Sequence, residues 1–129
     1  LDFSRPDTIA AYYMEDMRYY RQEHLKLLML NTRSRLIGES EISRGTVNMS
    51  VISPRELFIE ALQKNAVYII LLHNHPSGDP SPSLADLKAT SGFVNQAKVL
   101  ELVVIDHIII GNTYYSMKEN SKIFRIFNS

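Results

Sequence analysis

Ala66-Val67-Tyr68-Ile69-Ile70-Leu71-Leu72-His73-Asn74-His75-Pro76-Ser77-Gly78-Asp79-Pro80-Ser81-Pro82-Ser83-Leu84-Ala85-Asp86 opens as an uncharged apolar run and closes as a polar loop entering a helix. Ala66 to Leu72 carries no charge and contains two isoleucines, the composition of a central strand buried on both faces. Pro76, Gly78, Pro80 and Pro82 forbid regular structure, so His73 to Ser83 reads as a stiff, shaped loop. A second long helix is expected from about Ser83 to Ala97.

Side chains at i and i+2 of a strand project from one face, so His73 and His75 leave the strand together at its carboxyl end. That edge is where open α/β sheets place their ligands. Two converging imidazoles suit a divalent metal, because zinc accepts imidazole nitrogen at about 2.0–2.1 Å and its catalytic sites combine three protein ligands with an open position. Asp86, in the first turn of the next helix, supplies the missing carboxylate, and the prolines cut the freedom of the loop that returns it. Ser83 stands one turn earlier, placed to cap the helix or to donate a hydrogen bond into the site. A capping pair explains Ser83 and Asp86, and a hydrogen-bonded core residue explains one histidine. Neither explains two histidines at strand spacing, a stiffened loop and a carboxylate together. Two histidines and one carboxylate also suit non-haem iron, so spacing leaves the ion open.

Outward from this segment, Ile9, Ala10, Tyr13, Met14, Met17 and Tyr20 recur at helical spacing and predict a helix from Asp7 to about Tyr20. Leu25 to Leu30 reads as a buried strand, Asn31 to Ser34 as a turn, and Leu36 to Ser43 as its antiparallel partner in a hairpin. Ser53-Pro54-Arg55-Glu56 predicts a capping box opening a helix that ends near Asn65. Leu102 to Ile105 and Ile108 to Ile110 are apolar stretches joined through Asp106-His107, and Gly111-Asn112 turns into Thr113 to Met117, which predicts two or three further strands. Ile123, Phe124, Ile126 and Phe127 give the tail a weak apolar pattern. Strands alternating with helices make a single α/β domain with a mixed central sheet flanked by helices, divided into a helical lead-in (about 5–22), a core (about 23–116) and a tail (117–129).

The 129 residues suit one domain, and 45% hydrophobic content supports a core without cross-links. Cysteine is absent, which excludes disulfides, thiolate ligands and a cysteine nucleophile and suits a reducing, cytoplasmic setting. Fourteen basic residues balance fourteen acidic ones, without the basic excess expected of a domain that grips nucleic acid. No apolar run approaches the ~20 residues of a membrane span. The chain opens at Leu1 rather than methionine, as expected of a piece of a longer protein.

His73-Asn74-His75-Pro76, Ser83 and Asp86 match completely the H-x-H-x7-S-x2-D signature of the JAMM (MPN-type) metalloproteases. More closely, His73 to Pro80 together with Gly45-Thr46, Pro54-Arg55-Glu56 and Asp106-His107-Ile108-Ile109-Ile110-Gly111 resembles the RadC family, over about Glu23 to Ser116. The resemblance implies a fold with a cytidine-deaminase-like architecture and one zinc ion per chain on His73, His75 and Asp86. It implies catalytic roles for two further residues: Ser83 assisting the transition state, and an upstream glutamate taking a proton from water. Glu23, ahead of the Leu25–Leu30 strand, is the choice for that glutamate; Glu39 and Glu41 are rivals, and the plain alternative for Glu23 is a solvated charge.

Asn74 and Ser77 read as holders of loop backbone, His24 as structural, and Asp106-His107 either as a pair that orients a ligand histidine or as a strand end. Tyr12, Tyr13, Tyr19 and Tyr20 read as core and surface aromatics rather than a base-stacking platform. The resemblance thus implies a peptidase or isopeptidase acting on a peptide or protein. A DNA-repair-associated binding or nuclease module is the alternative by family association, though the helix-hairpin-helix segment that relatives often carry upstream is not in this chain. A metal-retaining scaffold without turnover ranks last. An HNH nuclease would spread its residues over a larger unit than three consecutive positions, and a zinc deaminase would require cysteines.

Overall fold

The computed structural model describes residues 2–120. In chain order the elements are α1 (Pro6–Met17), β1 (Glu23–Leu30), β2 (Leu36–Gly45), a single 3-10 turn (Met49–Val51), α2 (Pro54–Gln63), β3 (Tyr68–Asn74), α3 (Leu84–Val99), β4 (Val103–Ile110) and β5 (Tyr114–Ser116). The five strands form one sheet in the order β2-β1-β3-β4-β5. β1 lies antiparallel to both β2 and β3, β3 is parallel to β4, and β4 is antiparallel to β5. The chain is therefore a single α/β domain with a mixed sheet, and its one parallel pair forces the long crossover that α3 provides.

Strand alternation sorts the core into two layers. Leu25, Leu27 and Met29 of β1 with Ile69 and Leu71 of β3 pack against Leu57, Phe58 and Ala61 of α2 and Phe93, Val94 and Ala97 of α3. Leu28, Leu30, Ile70, Leu72, Ile108 and Ile110 face Ile9, Ala10, Tyr13 and Met17 of α1. β3 has helices over both faces, which is why its sequence is apolar without alternation.

Three local expectations change. β4 runs unbroken through Asp106-His107, and a register shift against β3 between Ile69 and Ile70 takes up the irregularity. Asp106 survives burial because it accepts from Ser116 Oγ (2.6 Å), His107 N (2.7 Å) and Lys118 N (3.0 Å). Ser53 makes no side-chain cap, so α2 starts on the proline alone, whose missing N–H removes one donor in need of a partner. α1 stops at Met17, short of Tyr20, because the N–H groups of Tyr19 and Tyr20 tighten onto the carbonyls of Asp16 and Met17 as the chain turns toward β1. The apolar tail positions Ile123, Phe124, Ile126 and Phe127 lie outside the described residues. Among the described residues no helix is long and apolar enough to cross a membrane.

Leu71 is fully buried in the α2/α3 layer, so Leu71→Ala should destabilise the domain by about 2–5 kcal/mol. Val103→Ala, at a half-exposed strand start, should change stability by no more than about 0.5 kcal/mol, both being read from urea unfolding.

Candidate metal centre

β3 delivers His73 to the α3 side of the sheet, the face already occupied by Ile69 and Leu71. Beyond Asn74 the chain does not leave the sheet freely. His75 N donates to Ile110 O (2.8 Å), Gly78 N returns to His75 O (3.0 Å), and Asn112 N donates to Gly78 O (2.6 Å), so the loop is laced to the end of β4. This lacing depends on two glycines. Gly78 sits at φ +95°, and a Cβ on Gly111 would stand 2.3 Å from Gly78 O. The tightened loop presents the Asp79 carbonyl to His75 Nδ1 at 2.9 Å. A carbonyl only accepts, so His75 carries its proton on Nδ1 and turns the Nε2 lone pair inward.

Asp86 arrives through the start of α3. Ser83 Oγ accepts from Asp86 N (3.0 Å), and Asp86 Oδ2 accepts from Ser83 N (2.9 Å), a complete capping box. The same oxygen, Oδ2, stands 3.8 Å from His73 Nε2 and 3.6 Å from His75 Nε2. The capping pair and the candidate ligand thus share one carboxylate oxygen. Among the described residues, His73, His75 and Asp86 form the group of potential metal donors whose ligand atoms all lie within 4.8 Å of one another.

The donor triangle can be tested for size. Its third side, Nε2 to Nε2, is 2.9 Å, and sides of 2.9, 3.8 and 3.6 Å have a common centre about 2.0 Å from each corner. Zinc bonds to nitrogen and carboxylate oxygen are about 2.0–2.2 Å. The residues present therefore fit a divalent cation.

His73 is held from behind by a residue left out of the predicted ligand set. Its Nδ1 lies 2.7 Å from His107 Nε2, and His107 Nδ1 lies 2.6 Å from Thr90 Oγ1 on α3. With the protons running His73 Nδ1–H to His107 Nε2 and His107 Nδ1–H to Thr90 Oγ1, His73 Nε2 is left with a free lone pair facing His75 and Asp86. Adjacent positions on a strand face opposite ways, so Asp106 braces β5 while His107 braces the site. Two polar residues inside an otherwise β-branched apolar run were the available signal: buried polar groups require partners.

The electrostatics favour the metal-binding protonation states. Burial pushes His73 down to about 4 and lowers His107 well below the ordinary histidine value, keeping both neutral. The neighbouring Asp86 carboxylate raises His75. Burial works against the Asp86 charge, but His75, the Ser83 N–H and the nearby imidazoles together hold its carboxyl well below the usual carboxylate range.

The three donors open onto a cavity of about 390 Å³ whose walls also include Glu23, Val47, Pro76, Ser77 and Ser83. Glu23, the first residue of β1, accepts from Val47 N through Oε2 at 2.9 Å. Glu39 instead accepts from Tyr13 Oη (2.6 Å) and lies 3.9 Å from Lys26 Nζ, while Glu41 pairs with His24 and Arg44, and neither lines this cavity. His24 is engaged by that carboxylate and by the Tyr20 ring, 4.2 Å between centroids. Ser77 Oγ accepts from Asp79 N at 3.3 Å within the loop, and Asn74 bonds the chain around Glu23. Tyr13 is buried, Tyr20 is half-buried, and Tyr12 and Tyr19 are exposed.

A family model described as RadC-like JAB domain matches residues 3–122. The chain is 47% identical over 117 residues to a UPF0758 protein of Alkaliphilus metalliredigens (strain QYMF), covering 90% of this chain and 50% of that relative. It is 42% identical over 117 residues to a UPF0758 protein of Clostridium novyi (strain NT), covering 90% and 51%, and 46% identical over 121 residues to one of Clostridium botulinum (strain Hall), covering 93% and 53%. The chain spans about half the length of these curated relatives.

Two outcomes follow from this geometry. His107→Ala should weaken zinc binding by about 10–100-fold in competition with a chromophoric chelator, as loss of a ligand-orienting partner does. The metal-free protein should also lose stability on acidification. His73 and His107 are depressed below 6.5, so the unfolded chain binds their protons first and the native state loses ground as pH falls from about 6.5 toward 4. His75, raised above 6.5, opposes this as a single group. Thermal melts of metal-free protein across that range check the sign.

Proposed function

We propose that this chain, which belongs to the RadC-like JAB family, is a zinc-dependent metallohydrolase, a peptidase or isopeptidase that uses water to cleave an amide in a protein or peptide substrate. The observation that carries this reading is the convergence of His73 Nε2, His75 Nε2 and Asp86 Oδ2 on a point about 2.0 Å from each, with Glu23 and Ser83 on the walls of the same cavity. When bound there, one zinc ion per chain supplies Lewis acidity toward a water molecule and toward the scissile carbonyl.

The chain's own residues do the rest. The Glu23 oxygen not engaged by Val47 N accepts the proton of the attacking water as the new C–O bond forms, then returns that proton to the amine nitrogen as the C–N bond breaks. Ser83 Oγ already accepts from Asp86 N, which leaves its O–H to donate toward the oxygen that gains charge in the tetrahedral state. His107 and the Asp79 carbonyl keep both imidazoles oriented throughout. A cytoplasmic setting accords with a chain free of cysteine.

Purified protein should contain one zinc per chain by elemental analysis and cleave a mixed peptide pool in a chelator-sensitive, zinc-restorable way. Glu23→Gln should retain zinc and lose at least about 100-fold in kcat, the scale of a general base. His75→Ala should lose both. Full cleavage by the Glu23→Gln variant would reject Glu23 as the base. Steeply salt-dependent DNA binding without cleavage would reject the hydrolase reading in favour of a nucleic-acid-binding module.

A further inference from the structure

The residue between the two histidines faces the opposite way from His73 and so has no route to the metal. Asn74 is nevertheless 1% exposed, and its side chain bonds the backbone at the entry to β1. Its Oδ1 accepts from His24 N at 2.8 Å, and its Nδ2 donates to Gln22 O at 3.0 Å. These two backbone groups flank Glu23 on either side.

The place where this happens is the point at which the ordinary ladder ends. The β1–β3 pairing is registered from Leu30↔Tyr68 up to Leu25↔His73 and no further. Beyond it, β3 turns its backbone away, with His75 N donating to Ile110 O of β4. The entry to β1 stays paired with β2, Glu23 opposite Gly45, but on its β3 side it loses its main-chain neighbour at the residue that must reach into the cavity. An asparagine amide carries an acceptor oxygen and an N–H donor side by side, the pair that a strand backbone offers its neighbour. Asn74 stands in for the missing rung.

We infer that Asn74 is a positioning residue for Glu23: by bonding Gln22 O and His24 N it holds the Glu23 backbone in line with the strand, so that the carboxylate spans the gap to Val47 N and lies on the wall of the cavity that Asp86 also lines. This rests on the reading of Glu23 as the base. It ties the two halves of the site to one strand end, since β3 supplies His73 for the ion and, one residue later, the amide that sets the acid–base group. An aspartate at 74 retains the acceptor for His24 N but aims an oxygen at Gln22 O, where two acceptors repel. An alanine removes both contacts.

Amide hydrogen exchange and turnover on the same zinc-loaded preparations test this. In Asn74→Ala and in the near-isosteric Asn74→Asp, exchange at Val47 should rise by about tenfold or more, and in Asn74→Ala exchange at His24, which loses its acceptor, should rise as well, while Leu25–Leu30 stay protected and zinc stoichiometry stays at that of the unsubstituted protein. Cleavage of the peptide pool should fall about 10–100-fold in kcat with KM little changed, the scale of a misplaced catalytic group. Unchanged exchange at Val47 in both variants overturns the inference, as does a rise spread evenly along β1, which marks loosening of the sheet instead. Glu23→Gln separates the two claims. If it cleaves normally the base assignment falls, while the Val47 exchange of the Asn74 variants still decides whether Asn74 holds Glu23.

Discussion

One carboxylate oxygen, Asp86 Oδ2, does two jobs that usually fall to different atoms. It accepts from the Ser83 N–H to close the first turn of α3, and it forms the third corner of the donor triangle with the two imidazoles. A helix N-terminus carries partial positive charge, which favours a carboxylate in a place where only 5% of the residue meets solvent. The same helix returns to the site one turn later through Thr90, which holds His107, which holds His73. α3 exists because β3 and β4 are parallel and need a crossover between them. The topology that joins the central strands therefore also brings up the carboxylate and locks the histidine opposite it.

Three imidazoles and a carboxylate packed this tightly form a costly polar cluster in an apolar interior. The structure keeps it viable by giving each outward-facing ring nitrogen one partner: the Asp79 carbonyl for His75, and the His107–Thr90 chain for His73. What these partners leave free are the two Nε2 atoms, 2.9 Å apart and facing the same carboxylate oxygen. Burial drives His73 toward its neutral form, the form that ligates metal. The energetic cost of assembling the cluster thus falls on folding, before any ion arrives.

Much of this was legible from residue order alone. An uncharged run ending in His73-Asn74-His75, a proline-rich loop and a capping residue before Asp86 identify the central strand, the shaped loop and the helix start, because each rests on local physics: burial, restricted φ and unsatisfied helix N–H groups. β4 and the role of His107 were harder to read. Asp106-His107 resembles a strand end when judged by hydrophobicity, and only the facing positions of β3 and α3 reveal that one residue of the pair bonds Ser116 while the other braces His73. Ser53 shows the converse, a cap by sequence that makes no side-chain cap bond, the helix opening on the proline that follows it. Asn74 carried no periodic signal at all. Its partners lie some fifty positions earlier, and the need for them arises only where β3 leaves β1 for β4.

The proposed chemistry requires one ion held jointly by three side chains with a position left for solvent. X-ray absorption spectroscopy of zinc-loaded protein addresses it directly. The expected spectrum has two imidazole nitrogens and two oxygen donors at about 2.0–2.2 Å, with one oxygen lost or replaced in Asp86→Ala. A zinc shell that is identical in the Asp86→Ala variant, or a six-oxygen hydrated ion with no imidazole scattering, would contradict it.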